Sequence, residues 1–274
     1  MIRDITIGQY YPTNSRVHDL DPRVKLVCTL LFLISLFVQR NVVGYAVATL
    51  FVILIVRSSK VPLAHIVKGF KPIILLLVIT LCFNLFLTRT GSTLWAFSVI
   101  RITDTGLSTA VYMAIRLVYL LIGSSIMTYT TTPNALTDGM ESLLKPLNKL
   151  RVPVHEISMM MSIALRFIPI LLEETDKIMK AQIARGADLE SGNMFQRAKA
   201  MIPILVPLIV SAFRRANDLA MAMEARCYRG GEGRSKMKPL QYRPLDYVVY
   251  LGIAVYVIVM ILIGLYVTIT IWIF

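Results

Sequence analysis

No phosphate-binding loop of the GxxxxGK[ST] kind occurs in this chain, so it does not itself hold ATP in a P-loop. Its densest glycine cluster, Gly230-Gly231-Glu232-Gly233, suits the end of a helix better than a phosphate cradle. Cysteine is equally scarce. Cys28 and Cys82 lie in apolar runs and Cys227 in a basic segment, with no CxxC spacing, which argues against a disulfide framework or a thiolate metal site. His18, His65 and His155 are scattered, and although His155-Glu156 begins like HExxH, Met159 stands where the second histidine belongs. Neither a metal nor a cofactor of its own is expected. The acids are few, 16 against 29 Lys and Arg, and they are interleaved with bases along the chain. A lipid head-group transferase would need clustered Asp or His at a membrane interface. The stretch from Met1 to Asp21 is polar and lacks the apolar core of a cleavable signal, so the first apolar run is expected to be retained.

Apolar residues are abundant instead. They make up 56% of the 274 residues, and the mean hydropathy is +0.68, too apolar for a soluble globule. The formal charge of +13 could suggest nucleic acid, but the bases cluster beside the apolar runs, where cytoplasmic loops ordinarily carry them. Nucleic acid is therefore not an expected partner, whereas membrane lipid is.

The pattern predicts an all-α polytopic membrane protein with about five transmembrane helices and a cytoplasmic domain of long crossed coupling helices. Asp21-Pro22-Arg23 supplies a helix N-cap and a first-turn proline. The spans read as Val24 to Gln39, Val42 to Val56, Ile73 to Leu87, Gly106 to Tyr129 and Tyr247 to Phe274. Three of these runs are shorter than the ~20 residues a bilayer needs, so flanking Tyr, Arg and Lys must help reach the interfaces. Arg116 lies inside the fourth and must either face a protein interface or snorkel. Arg3, Arg16, Arg23, Lys25, Arg57, Lys60, Lys68, Lys71 and a series from Lys145 to Arg243 fall on one side. Only Arg40, Arg89 and Arg101 fall on the other. The N-terminus is thus expected in the cytoplasm. Three parts follow: residues 1–129 as an N-terminal membrane domain, 130–246 as the coupling-helix domain and 247–274 as a C-terminal span.

The middle part is too long for a loop and too regular for a linker. Leu144, Leu147 and Leu150 have helical spacing; Glu156 to Arg185 reads as one long helix, with a kink expected at Pro169, and Phe195 to Arg226 as another, with Pro203 and Pro207 near its start. Each begins apolar and ends charged, as suits helices that leave the membrane. Each also closes on a similar tripeptide, Ala184-Arg185-Gly186 and Ala225-Arg226-Cys227. A guanidinium between small residues at a helix tip is suited to entering a partner's groove and forking onto a carboxylate. Ala212, Ala216 and Ala220 form a small-residue ridge. Glu174 lies eleven residues before Arg185 and Arg215 eleven before Arg226, so the helices are expected to cross with Glu173 or Glu174 facing Arg214 or Arg215. The many methionines, Met159 to Met161, Met179, Met201, Met221 and Met223 among them, suit either adaptable contact surfaces or core filling.

The run Ala164-Leu165-Arg166-Phe167-Ile168-Pro169, continuing to Ala181-Gln182-Ile183-Ala184-Arg185-Gly186, resembles the first signature of the T component of energy-coupling factor transporters. Met223-Glu224-Ala225-Arg226-Cys227-Tyr228-Arg229-Gly230-Gly231 is similar to the second, with Cys227 where Gly or Ser also occur. Gly8-Gln9-Tyr10 and His18-Asp19-Leu20-Asp21-Pro22-Arg23 resemble that family too, so the likeness covers nearly the whole chain. The resemblance implies a non-enzymatic coupling subunit of a bacterial plasma-membrane importer. Its partners would be two ATP-binding cassette subunits, which hold ATP and Mg, and a small interchangeable substrate-binding S component. Arg185 and Arg226, with Ala184, Gly186, Ala225 and Cys227, would each engage one ATPase subunit. A shared module for vitamins is favoured over a dedicated cobalt, nickel or biotin system. A conventional permease would need its own solute path and one short coupling loop, which two long tipped helices do not resemble.

Overall fold

The computed structural model describes residues 10–39, 41–70, 73–87, 93–97, 100–187, 193–230, 237 and 239–273. Gly8, Gln9, Arg40, Lys71, Arg89 and the cluster 231–233 lie outside the described residues. Nine helices are described: α1 (Pro22–Val38), α2 (Val42–Ser59), α3 (Leu63–Phe70), α4 (Ile74–Leu87), α5 (Asp104–Thr130), α6 (Pro133–Leu144), α7 (Val154–Ala184), α8 (Met194–Ala225) and α9 (Pro244–Ile273). The chain is an all-helical membrane protein, and beside the helices the described residues hold one antiparallel ribbon of β1 (Thr93–Phe97) and β2 (Ile100–Thr103). Sequence patterning did not anticipate α3, α6 or the ribbon. Leu144 ends α6, whereas Leu147 and Leu150 belong to a 3-10 turn over Lys145–Leu150 rather than to an α-helix, and a spacing of three fits its three residues per turn.

Five described helices are long and apolar enough to cross a membrane: α2, α5, α7, α8 and α9. The number agrees with expectation, but the membership differs. Among the described residues α1 has 17 residues and α4 has 14, fewer than the 18 of α2, the shortest of the five. Conversely, the apolar first halves of α7 and α8 are extensive enough to qualify. α7 runs unbroken through Pro169, and α8 through Pro203 and Pro207.

The chain divides into two compact units. One contains residues 7–140 and 240–274, bringing α9 back to the helices that precede α6. Its core joins Phe32 and Leu36 of α1, Ala48 and Val52 of α2, and Ile253, Tyr256 and Met260 of α9. Phe51 stacks on Tyr256 with ring centroids 4.2 Å apart.

Buried polar groups tie the ends of these helices together. Asp21 caps α1 by accepting from the Arg23 amide at 2.9 Å, as its sequence suggested. Asp246, fully buried, accepts the Asp21 amide at 3.0 Å on one oxygen and the Arg243 amide at 2.7 Å on the other. One carboxylate thus caps α9 and fastens α1 to it. The Arg23 guanidinium pairs with Asp21 at 2.9 Å and lies 4.0 Å from the Tyr242 ring centroid. Lys25 Nζ donates to the His18 carbonyl at 3.0 Å and to that of Thr130, the last residue of α5, at 2.9 Å.

Arg116 performs the same service for α1. Its Nη2 donates to the Gln39 carbonyl at 2.9 Å, just past the helix C-terminus, and its Nε to the Tyr45 hydroxyl at 3.1 Å. The intramembrane arginine therefore faces protein and satisfies an orphan carbonyl. Gln39 itself is wholly buried and donates to the Met260 carbonyl. Glycine at position 44 leaves room for it, because a Cβ there would stand 2.3 Å from Gln39 Oε1 and force the Gln39 side chain to shift.

Candidate functional site

The second unit, residues 141–239, is built on α7 and α8. Its entry is fixed by Glu141, which accepts from Ser158 Oγ at 3.1 Å and pairs with His155 Nδ1 at 2.9 Å. His155 is thereby a structural partner of a carboxylate, and no group of three or more His, Cys, Asp or Glu capable of holding a metal occurs among the described residues.

The two long helices meet through polar contacts. Glu174 accepts from Arg215 Nη2 at 2.8 Å and from the Ser211 hydroxyl. Ser211 and Arg215 stand one turn apart on the same face of α8, so a single carboxylate spans both. Farther along, Gln182 Nε2 lies 3.5 Å from the Pro203 carbonyl. Residue numbers rise along α7 as they fall along α8, so the helices run antiparallel where they touch. Glu173 and Arg214, the alternative members of the expected pair, are exposed. Ala216 and Ala220 are exposed as well, so the crossing passes through Ser211 and Arg215 rather than the alanine ridge. Residue spacing had indicated the level of the crossing, but nothing in the sequence singled out Ser211.

Both helices end in the same hydrogen-bonded form. At the end of α7, the Gly186 amide donates to Ile183 O at 2.9 Å and the Ala187 amide to Gln182 O at 3.0 Å. At the end of α8, the Cys227 amide donates to Glu224 O at 2.8 Å and the Tyr228 amide to Met223 O at 3.0 Å. These paired bonds define a Schellman cap, which requires the residue after the C-cap to be left-handed. Gly186 adopts φ +86° and Cys227 φ +56°. The small third residue of each tripeptide thus has a reason that its groove-entry reading missed. It is the turn residue of the cap; beside Gly186 there is open space, since a Cβ there would meet nothing within 4 Å. α8 stops at this cap, so Gly230, at φ +92°, lies beyond the helix end and does not terminate it. A glycine directly after a periodic helix was a legible signal for the first tip; at the second, cysteine disguised it.

Each cap leaves an arginine at the C-cap position. Arg185 and Arg226 are exposed, as are Ala184 and Ala225 before them, and neither guanidinium has an ion pair or side-chain hydrogen bond among the described residues. Arg185 lies about 16 Å beyond Glu174, and Arg226 equally far beyond Arg215, at ~1.5 Å per residue. Because the helices are antiparallel, the two arginines point away from the crossing in opposite directions. Between them lie unpartnered apolar faces, including Ile202, Val206, Ile209 and Phe213 on α8. Met160, Met161, Met201 and Met221 are exposed too, so these four do not fill a core within the chain.

Comparison with known proteins shows the family. A family profile described as Cobalt transport protein, CbiQ, matches residues 13–238, a range that includes both tips. The energy-coupling factor transporter transmembrane protein EcfT of Ruminiclostridium cellulolyticum is 54% identical over 249 residues, 91% of this chain and 93% of that protein. This chain belongs to the T-component family of energy-coupling factor transporters. The EcfT proteins of Clostridium kluyveri, 53% identical over 96% of this chain and 97% of their own, and of Bacillus subtilis, 48% identical over 90% and 93%, extend the same likeness. As a T component the chain is a multi-pass membrane subunit of a transporter, and its two duplicated tips lie inside the matched region.

Proposed function

We propose that this T component transmits the motion of two ATP-binding cassette subunits to a small substrate-binding S component, driving uptake of a vitamin or related micronutrient. The observation that carries the reading is the duplicated tip: two helices of one unit, each closed by the same cap and each presenting an exposed arginine without a side-chain partner among the described residues. Arg185, with Ala184 and Gly186, would seat in one ATPase subunit, and Arg226, with Ala225 and Cys227, in the other. A guanidinium forks onto a carboxylate in two parallel bonds, so such an anchor resists both translation and rotation. The cap matters because it ends the helix abruptly and leaves the arginine standing clear of the last turn.

Closure of the ATPases on ATP, which they and not this chain would bind with Mg, would move the anchored tips relative to each other. The Glu174–Arg215 contact acts as a cross-brace between the arms, so relative motion of the tips becomes a change in the crossing. Residues 130–246 would lie on the cytoplasmic side with the N-terminus, in a bacterial plasma membrane. The exposed apolar and methionine-bearing faces of α7 and α8 would receive the S component; flexible thioethers can repack against different partners, which favours a shared vitamin module over a dedicated cobalt, nickel or biotin system. The chain would carry out no chemistry itself.

The test is purification of the tagged chain from membranes, with identification of the co-purifying proteins and assay of ATPase-driven uptake. Two ATP-binding proteins and one or more small membrane proteins are expected. In the proposed complex Arg185→Ala and Arg226→Ala would each remove one partner of a pair buried on assembly, a loss of about 3–5 kcal/mol, and the double substitution should abolish uptake. Unchanged assembly and uptake in the double variant would refute the coupling role.

A further inference from the structure

The membrane unit contains a cavity of about 460 Å³ that the coupling mechanism does not use. Four helices and the segment before α1 enclose it. α1 contributes residues near its start, such as Cys28; α2 residues near its end, such as Ile55; α5 its last turns, including Ile126; and α9 its first turns, including Gly252. All four contributions lie at the end of the bundle where the N-terminal segment packs, so the cavity occupies one leaflet's depth. Its walls are almost entirely apolar. The charged residues lining it are both basic, Arg16 and Lys25. Lys25 is already committed to two backbone carbonyls, whereas Arg16 is exposed and has no ion pair or hydrogen bond among the described residues.

The lining selects the occupant. The α1 residues along its wall run from Val24 to Phe32, about 12 Å at 1.5 Å per residue, a depth that suits an acyl chain within one leaflet. With apolar walls and, at its rim, Arg16, a cation unpaired among the described residues, the cavity matches an amphiphile with an anionic head. We infer that it holds an acyl chain of an anionic phospholipid from the leaflet on the N-terminal side, with the lipid phosphate on Arg16. This site is separate from the tips and rests only on the chain's placement in a membrane.

Gly252 gives direct access to a test, because a Cβ built there would meet nothing within 4 Å and a larger side chain would enter the cavity. The experiment uses the assembled transporter reconstituted in vesicles of phosphatidylglycerol and phosphatidylcholine, with a photoreactive acyl chain on one or the other lipid and adducts mapped by peptide mass spectrometry. Phosphatidylglycerol is expected to label the peptides carrying Ile126 and Gly252. Gly252→Phe, or Val249→Trp if that variant fails to assemble, should reduce this labelling about tenfold or more, since excluding even two or three methylenes weakens binding that much. Gly252→Ala should retain it. Arg16→Gln should lower the preference for phosphatidylglycerol about fivefold, the share of one basic residue at a lipid surface. Equal labelling of the unmodified protein by the two lipids, persistence of the adducts when the cavity is plugged, or adducts to a partner protein's helix at Gly252 in place of lipid would each overturn the assignment.

Discussion

At the tip of α8, Cys227 holds the left-handed conformation, φ +56°, that the matching tip of α7 assigns to Gly186. For a residue with a Cβ, that region costs about 1–2 kcal/mol, because the Cβ crowds the following carbonyl. Replacing Cys227 with glycine relieves the strain but restores about 0.4–1 kcal/mol of freedom to the unfolded chain. The net expectation for Cys227→Gly is a cap stabilised by about 0.5–1 kcal/mol, and for Gly186→Ala a cap destabilised by about the same amount. The effect is local, so the assay should be local. Hydrogen exchange at the Cys227 and Tyr228 positions reports opening of the two cap bonds to Glu224 and Met223. Exchange there should slow about two- to fivefold in Cys227→Gly and, at Gly186 and Ala187, quicken by a similar factor in Gly186→Ala. Cys227→Ala keeps the Cβ and serves as the control, with little change. If Cys227→Gly and Cys227→Ala behave alike, the third residue of the motif is not set by backbone conformation and the account of the tips is wrong.

Two further changes probe the membrane unit. Gly44→Ala places a Cβ 2.3 Å from Gln39 Oε1, and Gln39 cannot yield freely while it holds the Met260 carbonyl, so a loss of about 1–3 kcal/mol is expected in detergent thermal melts. A neutral result would mean the α1–α2 turn is looser than its contacts. Asp246→Ala strands the buried Asp21 amide and the part-buried Arg243 amide and should cost about 1–3 kcal/mol, with Asp246→Asn intermediate because it keeps one acceptor; equal losses for the two variants would contradict the shared-cap reading.

The helices carrying the tips were legible because their signals are local. Periodicity, a polar end and an arginine at the right spacing located both helices to within a few residues, and the resemblance of the same motifs to a known family pointed where the comparisons also lead. The level at which Glu174 and Arg215 meet was readable as well, since two long helices with opposite charges eleven residues from their ends have few satisfactory crossings. What escaped was non-local or conformational. Lys25 and Arg23 read as topological charges at the start of the first span, yet the fold uses them inside, on the Thr130 carbonyl and the Asp21 carboxylate. No spacing rule links positions 25 and 130. Likewise, the choice of Ser211 over the alanine ridge depends on how α8 is rotated about its axis, which composition leaves open. α1 and α4 read as spans by hydropathy, but their lengths depend on where the helices stop, and hydropathy is a poor guide to termini.

One physical theme connects the two units. Helix C-termini leave carbonyls without partners, and in a membrane protein water cannot be relied on to satisfy them. In the membrane unit this chain answers with cations from other helices: Lys25 on the end of α5 and Arg116 on the end of α1. At the tips the solution is internal, because the Schellman bonds of Gly186 and Cys227 occupy the last carbonyls with backbone amides. The difference has a functional consequence. An arginine that capped its own helix would be consumed by it, whereas at these two ends the backbone closes the helix and both guanidiniums remain available to a partner. The αL residue after each arginine is therefore the feature that frees the charge, and its position within the motif follows from that requirement.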